Sequence, residues 1–210
     1  NLSHPYIPHV YDFFVEGETV YTVMDYIQGE SLDKPLKRGE RYPQAQVIQW
    51  ATELLEALCY LHSPIHGNPP KGFVHSDIKP ANLMRKPDNH ICLIDFNIAL
   101  ALGEKNVIGR SAGYASPEHY GLDFSENGED DLTETMDGAS QEEDRTVTMT
   151  MHSSIVSRRT IVPDVRSDIY STGATLYHLL SGIRPARDAR EVVPLSEEEF
   201  SPQIVHIISK

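Results

Sequence analysis

The stretch Gly72 to Leu100, GFVHSDIKPANLMRKPDNHICLIDFNIAL, constrains this chain more than any other. It carries two acids, Asp77 and Asp95, with Lys79 and Asn82 close behind the first. A short apolar run precedes each acid: Phe73 and Val74 before Asp77, Ile91 to Ile94 before Asp95. The pattern predicts strand, loop, hairpin and strand, with both acids at loop ends on a rigid support.

Polar groups held in this way suit phosphoryl transfer. One carboxylate can orient the hydroxyl of an acceptor, and a cation can meet the transferring phosphate. A second carboxylate and an amide oxygen can hold Mg²⁺, a hard ion that prefers oxygen ligands. H-S-D-I-K-P-A-N at residues 75–82 resembles the catalytic loop H-R-D-x-K-x-x-N of protein kinases, and D-F-N at 95–97 resembles their D-F-G. Y-A-S-P-E at 114–118 is similar to the A-P-E region, and S-D-I-Y-S-T-G at 167–173 to the start of the large central helix of the C-lobe. These four segments stand in the family's order. Lys79 matches the serine/threonine-kinase variant of the loop, and the resemblance is nearest to bacterial-type serine/threonine kinases.

The resemblance implies an α+β, protein-kinase-like fold: mainly the helical C-lobe plus the hinge-side β-hairpin of the N-lobe. Residues 1–27 would be hairpin and hinge, and residues 28–210 the C-lobe. It also implies roles. Asp77 would orient the substrate hydroxyl and Lys79 would neutralise the γ-phosphate; both are candidate catalytic groups. Asn82 and Asp95 would ligate Mg²⁺. V-M-D-Y-I-Q-G-E-S-L at 23–32 looks like the hinge, with Met24 as gatekeeper and the backbone of Asp25 and Ile27 facing the adenine edge of ATP. Met84 would floor the adenine. His75, Phe96 and Val10 fall where the family stacks a hydrophobic spine, with Asp168 at its base. Ser111 stands where the family places a Thr that contacts the catalytic aspartate. The implied activity is transfer of the ATP γ-phosphate to a protein Ser or Thr hydroxyl. The alternatives are a pseudokinase that binds partners without chemistry and a small-molecule phosphotransferase of related fold.

Three features depart from the family pattern. Ser76 replaces the Arg of H-R-D, and Asn97 replaces the Gly of D-F-G. Asn is the next residue after Gly to tolerate positive φ, so the turn can still form. No G-x-G-x-x-G and no V-A-x-K stands in the 210 residues. The expectation is a fragment whose phosphate lid and lysine lie upstream, inactive by itself.

Elsewhere the pattern gives elements. Val10 to Phe14 and Thr19 to Tyr26 read as a hairpin around E-G-E. Val47, Ile48, Ala51, Leu54, Leu55, Leu58 and Leu61 recur at helical spacing across Pro43 to His62, with Trp50 as a packing residue. Asp168 to Leu180 reads as an apolar helix ended by Gly182 and Pro185, and Pro202 to Ser209 as another. Leu122 to Pro163 holds ten acids against three arginines and is poor in aromatics, so it is predicted to be a disordered insert. His62 and His66 read as exposed loop-edge histidines without a metal, and Cys59 and Cys92 as buried free thiols.

The net charge of −13 argues against a nucleic-acid surface and against contact with anionic membranes. No apolar run reaches the length of a membrane span, and no leader is visible, so the cytoplasm is the expected location.

Overall fold

Spacing of apolar residues between Gln44 and His62 builds the helix on which the core is assembled. The computed structural model describes residues 2–17, 19–66, 72–95, 111–116, 164–186 and 188–209. In chain order its elements are β1 (Val10–Glu16), β2 (Thr19–Met24), β3 (Glu30–Ser31), α1 (Asp33–Lys37) and α2 (Gln44–His62). There follow a 3-10 turn (Pro80–Asn82), β4 (Leu83–Arg85), β5 (Ile91–Leu93), α3 (Val165–Ser181) and α4 (Pro202–Ile208).

Helix α2 buries Val47, Trp50, Leu54, Ala57, Leu58 and Leu61. Ile48 and Leu55, expected on the same face, are 40% and 41% exposed. Each lies one residue, about 100° of rotation, beyond a buried neighbour. The stripe from Val47 to Leu61 already spans the width that one neighbouring layer can cover. Cys59, expected to be buried, is exposed for the same reason; Cys92 on β5 is buried.

Helix α3 packs against α2, and its Leu176, Tyr177, Leu179 and Leu180 are buried in the shared core. It begins three residues before the expected start, because the Asp164 side chain caps it by accepting the Arg166 N–H at 2.8 Å. Gly182, at φ 71, ends it in the left-handed conformation that Gly adopts without a Cβ clash.

The strands form two separate antiparallel sheets. One is the hairpin β1–β2, with Phe14 opposite Tyr21 and Val15 opposite Val20. The second strand stops at Met24, two residues short of the expected end, and Tyr26 beyond it is 90% exposed. The other sheet has the order β3–β4–β5, with Ser31 opposite Met84 and Met84 opposite Cys92. Its tight turn between Lys86 and His90 is closed by Lys86 N–H to the His90 carbonyl at 2.8 Å. The Trp50 indole N–H donates to the Asn89 carbonyl at 2.8 Å and fixes this turn to α2.

Glu53 is buried in the middle of α2, and its carboxylate is fully used. It accepts the Ile91 N–H at 2.8 Å, the Gln49 amide at 2.8 Å and the His90 ring at 2.7 Å. Such bonding offsets the cost of removing a charge from water. It also sets β5, and hence Asp95 just after it, relative to α2. Phe73 and Val74, expected to be a strand, form none. The Phe73 N–H bonds the Leu61 carbonyl at 2.8 Å, so this segment is an extended tether to the end of α2. The observed mixture of helices and small antiparallel sheets is the expected α+β architecture.

Candidate active site

One buried carboxylate places the segment that carries Asp77. Asp168, in the first turn of α3, is fully buried and accepts the backbone N–H groups of His75 and Ser76, each at 2.8 Å. His62 Nε2, at the end of α2, also lies 2.8 Å from Asp168. His62 is thus half-buried and engaged, not a free loop-edge histidine as expected. The His75 ring is buried and oriented at both nitrogens: Nδ1 accepts the Asp77 N–H at 3.3 Å and Nε2 donates to the Ile94 carbonyl at 3.1 Å. These bonds orient the ring and join the Asp77 loop to the end of β5.

Ser76 sits between these anchors at φ 67, a conformation uncommon outside Gly, Asn and Asp. Its hydroxyl is buried and has no hydrogen-bond partner among the described residues.

Beyond this strained residue four functional groups converge. Ser111 Oγ donates to Asp77 at 2.7 Å and accepts Lys79 Nζ at 2.9 Å. Lys79 Nζ lies 3.1 Å from the other oxygen of Asp77. Asn82 Nδ2 donates to the Asp77 carbonyl at 2.8 Å and to its carboxylate at 3.2 Å. Lys79 and Asn82 are buried, and the Asp77 side chain is 12% exposed, so this cluster sits largely out of water with one face open. In such a setting a lysine beside a carboxylate is worth more than at the surface. The 3-10 turn gives the spacing: its short pitch brings Asn82 back toward Asp77, and Pro80 at its first position is pre-set for that turn.

Asp95 stands exposed one residue past Ile94, at φ 64. The Ile94 N–H donates to the Asn82 carbonyl at 2.9 Å, so Asp95 is tied to the loop through its neighbour. Because the Asn82 amide nitrogen is spent on Asp77, its oxygen is the atom left for another ligand. An amide oxygen and a solvent-facing carboxylate are hard donors of the kind Mg²⁺ takes together with phosphate oxygens. Among the described residues no group of three or more His, Cys, Asp or Glu could hold a metal by itself.

Met24 ends β2 and is 38% exposed. The Asp25 N–H bonds the His9 carbonyl at 3.0 Å. Its carboxylate accepts the Tyr11 hydroxyl at 2.7 Å and the His9 N–H at 3.0 Å, which holds its pKa below the ordinary carboxylate range. Ile27 follows in the segment that leads to β3. That segment runs against β4 closely enough that a Cβ on Gly29 would lie 2.0 Å from the Arg85 carbonyl oxygen. Met84 on β4 pairs with Ser31. Phe96, Asn97, Glu118 and the 122–163 insert lie outside the described residues.

The comparison with known sequences follows the same geometry. The protein kinase domain family matches residues 1–137, well over half of the chain.

This chain belongs to the protein kinase family.

It is 29% identical over 189 residues to a probable serine/threonine-protein kinase of Clostridium acetobutylicum, covering 88% of this chain and 22% of that protein. It is 29% identical over 184 residues to serine/threonine-protein kinase B of Synechocystis, covering 87% of this chain and 26% of that protein. It is 28% identical over 189 residues to serine/threonine-protein kinase PknB of Mycobacterium leprae, covering 88% of this chain and 24% of that protein. The chain thus spans about a quarter of the length of the curated relatives it matches. Protein kinases use ATP and Mg²⁺. Among the described residues no helix is long and apolar enough to cross a membrane.

Sequence reasoning missed one group in this chain. Tyr114, His178 and Arg184 meet beside the Ser111 segment. Tyr114 and His178 are 64 positions apart, and no local pattern links them.

Proposed function

We propose that the protein containing this chain is a serine/threonine protein kinase that moves the γ-phosphate of Mg-ATP to a protein hydroxyl. The observation that carries this reading is the convergence of Asp77, Lys79, Asn82 and Ser111 within hydrogen-bond distance of one another.

In this reading Asp77 receives and orients the acceptor hydroxyl, and accepts its proton as the phosphoryl group leaves ATP. Lys79 lies beside Asp77 and meets the negative charge on the transferring phosphate. Ser111 holds these two at a fixed separation. Asn82 and Asp95 would hold Mg²⁺, which when bound shields the phosphate oxygens. The backbone of Asp25 and Ile27, with the side chains of Met24 and Met84, would border the adenine. Loop, turn and β5 end are all fixed through Asp168, His75 and Asn82, so the groups are pre-set before nucleotide arrives.

The test uses the full-length protein with γ-labelled ATP, Mg²⁺ and myelin basic protein as acceptor, followed by phosphoamino-acid analysis. Label on phosphoserine or phosphothreonine, absent when Mg²⁺ is chelated, is the expected result. A protein that neither binds Mg-ATP nor labels any acceptor contradicts the reading.

A further inference from the structure

The register of the β1–β2 hairpin shifts at one place. Val10 lies opposite Met24 but Asp12 lies opposite Val23, so Tyr11 is an extra residue in β1. A bulge of this kind re-aims a side chain away from the direction that strict alternation gives it. Here the Tyr11 hydroxyl donates to Asp25 Oδ1 at 2.7 Å, one residue past the end of β2. The other carboxylate oxygen accepts the His9 N–H at 3.0 Å, and the Asp25 N–H donates to the His9 carbonyl at 3.0 Å. His9 is itself held: its ring meets the Tyr11 ring edge-on at 4.7 Å, and its Nδ1 donates to the Leu2 carbonyl at 3.3 Å. Asp25 is therefore tied to the start of β1 by three bonds, two of them through its carboxylate. Four residues on, Gly29 packs on the Arg85 carbonyl with no room for a Cβ. Residues 26–28 span the gap between these two anchors.

We propose that Tyr11 and the Asp25 carboxylate form a brace that sets the backbone from Asp25 to Ile27 for the nucleotide, so that the bulge in β1 tunes affinity for ATP and not for the protein acceptor. The proposal rests on the kinase reading above, in which that backbone borders the adenine. The Tyr11 hydroxyl and the Asp25 carboxylate are positioning groups: they act through the backbone that they hold. The bonds from the Tyr11 hydroxyl and the His9 N–H keep the Asp25 pKa below the ordinary carboxylate range, so at neutral pH both oxygens remain acceptors. Asparagine at position 25 offers one acceptor oxygen in place of two, and leucine offers none. Phenylalanine at position 11 keeps the ring against His9 and removes only the donor.

The test compares the full-length wild type with Tyr11→Phe, Asp25→Asn, Asp25→Leu and the double variant Tyr11→Phe with Asp25→Leu. For each, the Kd for ADP with Mg²⁺ is measured by calorimetry, KM is measured for ATP and for myelin basic protein, and thermal melting is recorded alongside. Tyr11→Phe should weaken ADP binding and raise the ATP KM about fivefold, the scale of one hydrogen bond to a charged acceptor. Its kcat and its KM for the protein acceptor should stay within about twofold of the wild type, since Tyr11 lies far along the chain from the Asp77 cluster and is not bonded to it. Asp25→Leu should weaken ADP binding about tenfold or more, and Asp25→Asn should fall between Asp25→Leu and the wild type. The double variant should be no worse than Asp25→Leu, because the hydroxyl has then already lost its acceptor. Wild-type ADP binding in Tyr11→Phe and Asp25→Leu overturns the brace while leaving the kinase reading intact. So does a Tyr11→Phe loss that falls equally on the acceptor KM, or a double variant whose loss is the full product of the two single losses. A wild type that transfers no phosphate and binds no ADP overturns the kinase reading and the brace with it.

Discussion

Asp168 Oδ2 accepts the backbone N–H of His75 at 2.8 Å, across 93 residues of sequence and inside a fully buried site. With the Ser76 N–H on its second oxygen and the His62 ring beside the first, this carboxylate is the joint between α2, α3 and the Asp77 loop. Asp168→Ala strands two buried N–H groups and removes a buried anion's contacts. The expected loss of stability is about 3–5 kcal/mol, read from urea denaturation. A loss under about 1 kcal/mol would show that the joint is not needed.

Ser76 combines positive φ with a buried hydroxyl that has no partner among the described residues. Glycine relieves both, while its extra freedom in the unfolded chain opposes the gain. Ser76→Gly should therefore be neutral or stabilising by up to about 1 kcal/mol, whereas Ser76→Val should be clearly destabilised. The reverse order in melting temperature contradicts the strain argument.

Ser111 shares its hydroxyl between Asp77 and Lys79, the arrangement expected of a spacer between the two. Ser111→Ala should lower kcat roughly tenfold or more, Ser111→Thr should keep most activity, and Ser111→Glu should be inactive because a second carboxylate would compete for Lys79. Steady-state transfer to a protein acceptor checks all three. An active Ser111→Glu would make a phosphate switch at this position the better account.

The pH dependence of stability carries the sign of His178. Its pKa in the fold, about 4, lies below the ordinary histidine value, so between about 4 and 6.5 the unfolded chain binds the extra proton. Stability contributed by the neutral ring is present above that window and is lost as pH falls through it. Melting temperature should fall from pH 6.5 to 4.5, and His178→Gln should reduce that fall. Identical slopes in both proteins would contradict the burial of this ring.

The two thiols should differ in reactivity. Burial pushes Cys92 up to about 11, so at pH 8 only about one molecule in a thousand carries the thiolate, while Cys59 is exposed. A thiol reagent should modify one cysteine rapidly in the native protein and both in urea. Rapid labelling of Cys92 in the native protein would mean that β5 opens readily.

Much of this was legible in the chain itself. Helices α2 and α3 follow from apolar spacing, and the end of α3 from Gly182, because those signals are local. The cluster of Asp77, Lys79 and Asn82 follows from a spacing that a single 3-10 turn converts into contact. What failed depended on distant partners. Phe73 and Val74 look like a strand, yet the Phe73 N–H bonds the Leu61 carbonyl at the end of α2. Ile48, Leu55 and Cys59 fit an apolar helix face that no second layer covers among the described residues. His62 seemed idle because Asp168 lies 106 residues later. The Tyr114–His178 pair was silent for the same reason.

The most direct measurement is single-turnover phosphoryl transfer from γ-labelled Mg-ATP by the full-length protein, comparing wild type, Asp77→Ala and Asp95→Ala, with nucleotide binding measured in parallel. The account predicts that Asp77→Ala abolishes transfer to protein and still binds Mg-ATP within a few-fold of wild type, because Asp77 faces the acceptor. It predicts that Asp95→Ala loses both transfer and Mg²⁺-dependent binding, because it removes a metal ligand. Transfer at the wild-type rate by both variants would contradict the assignment of this site.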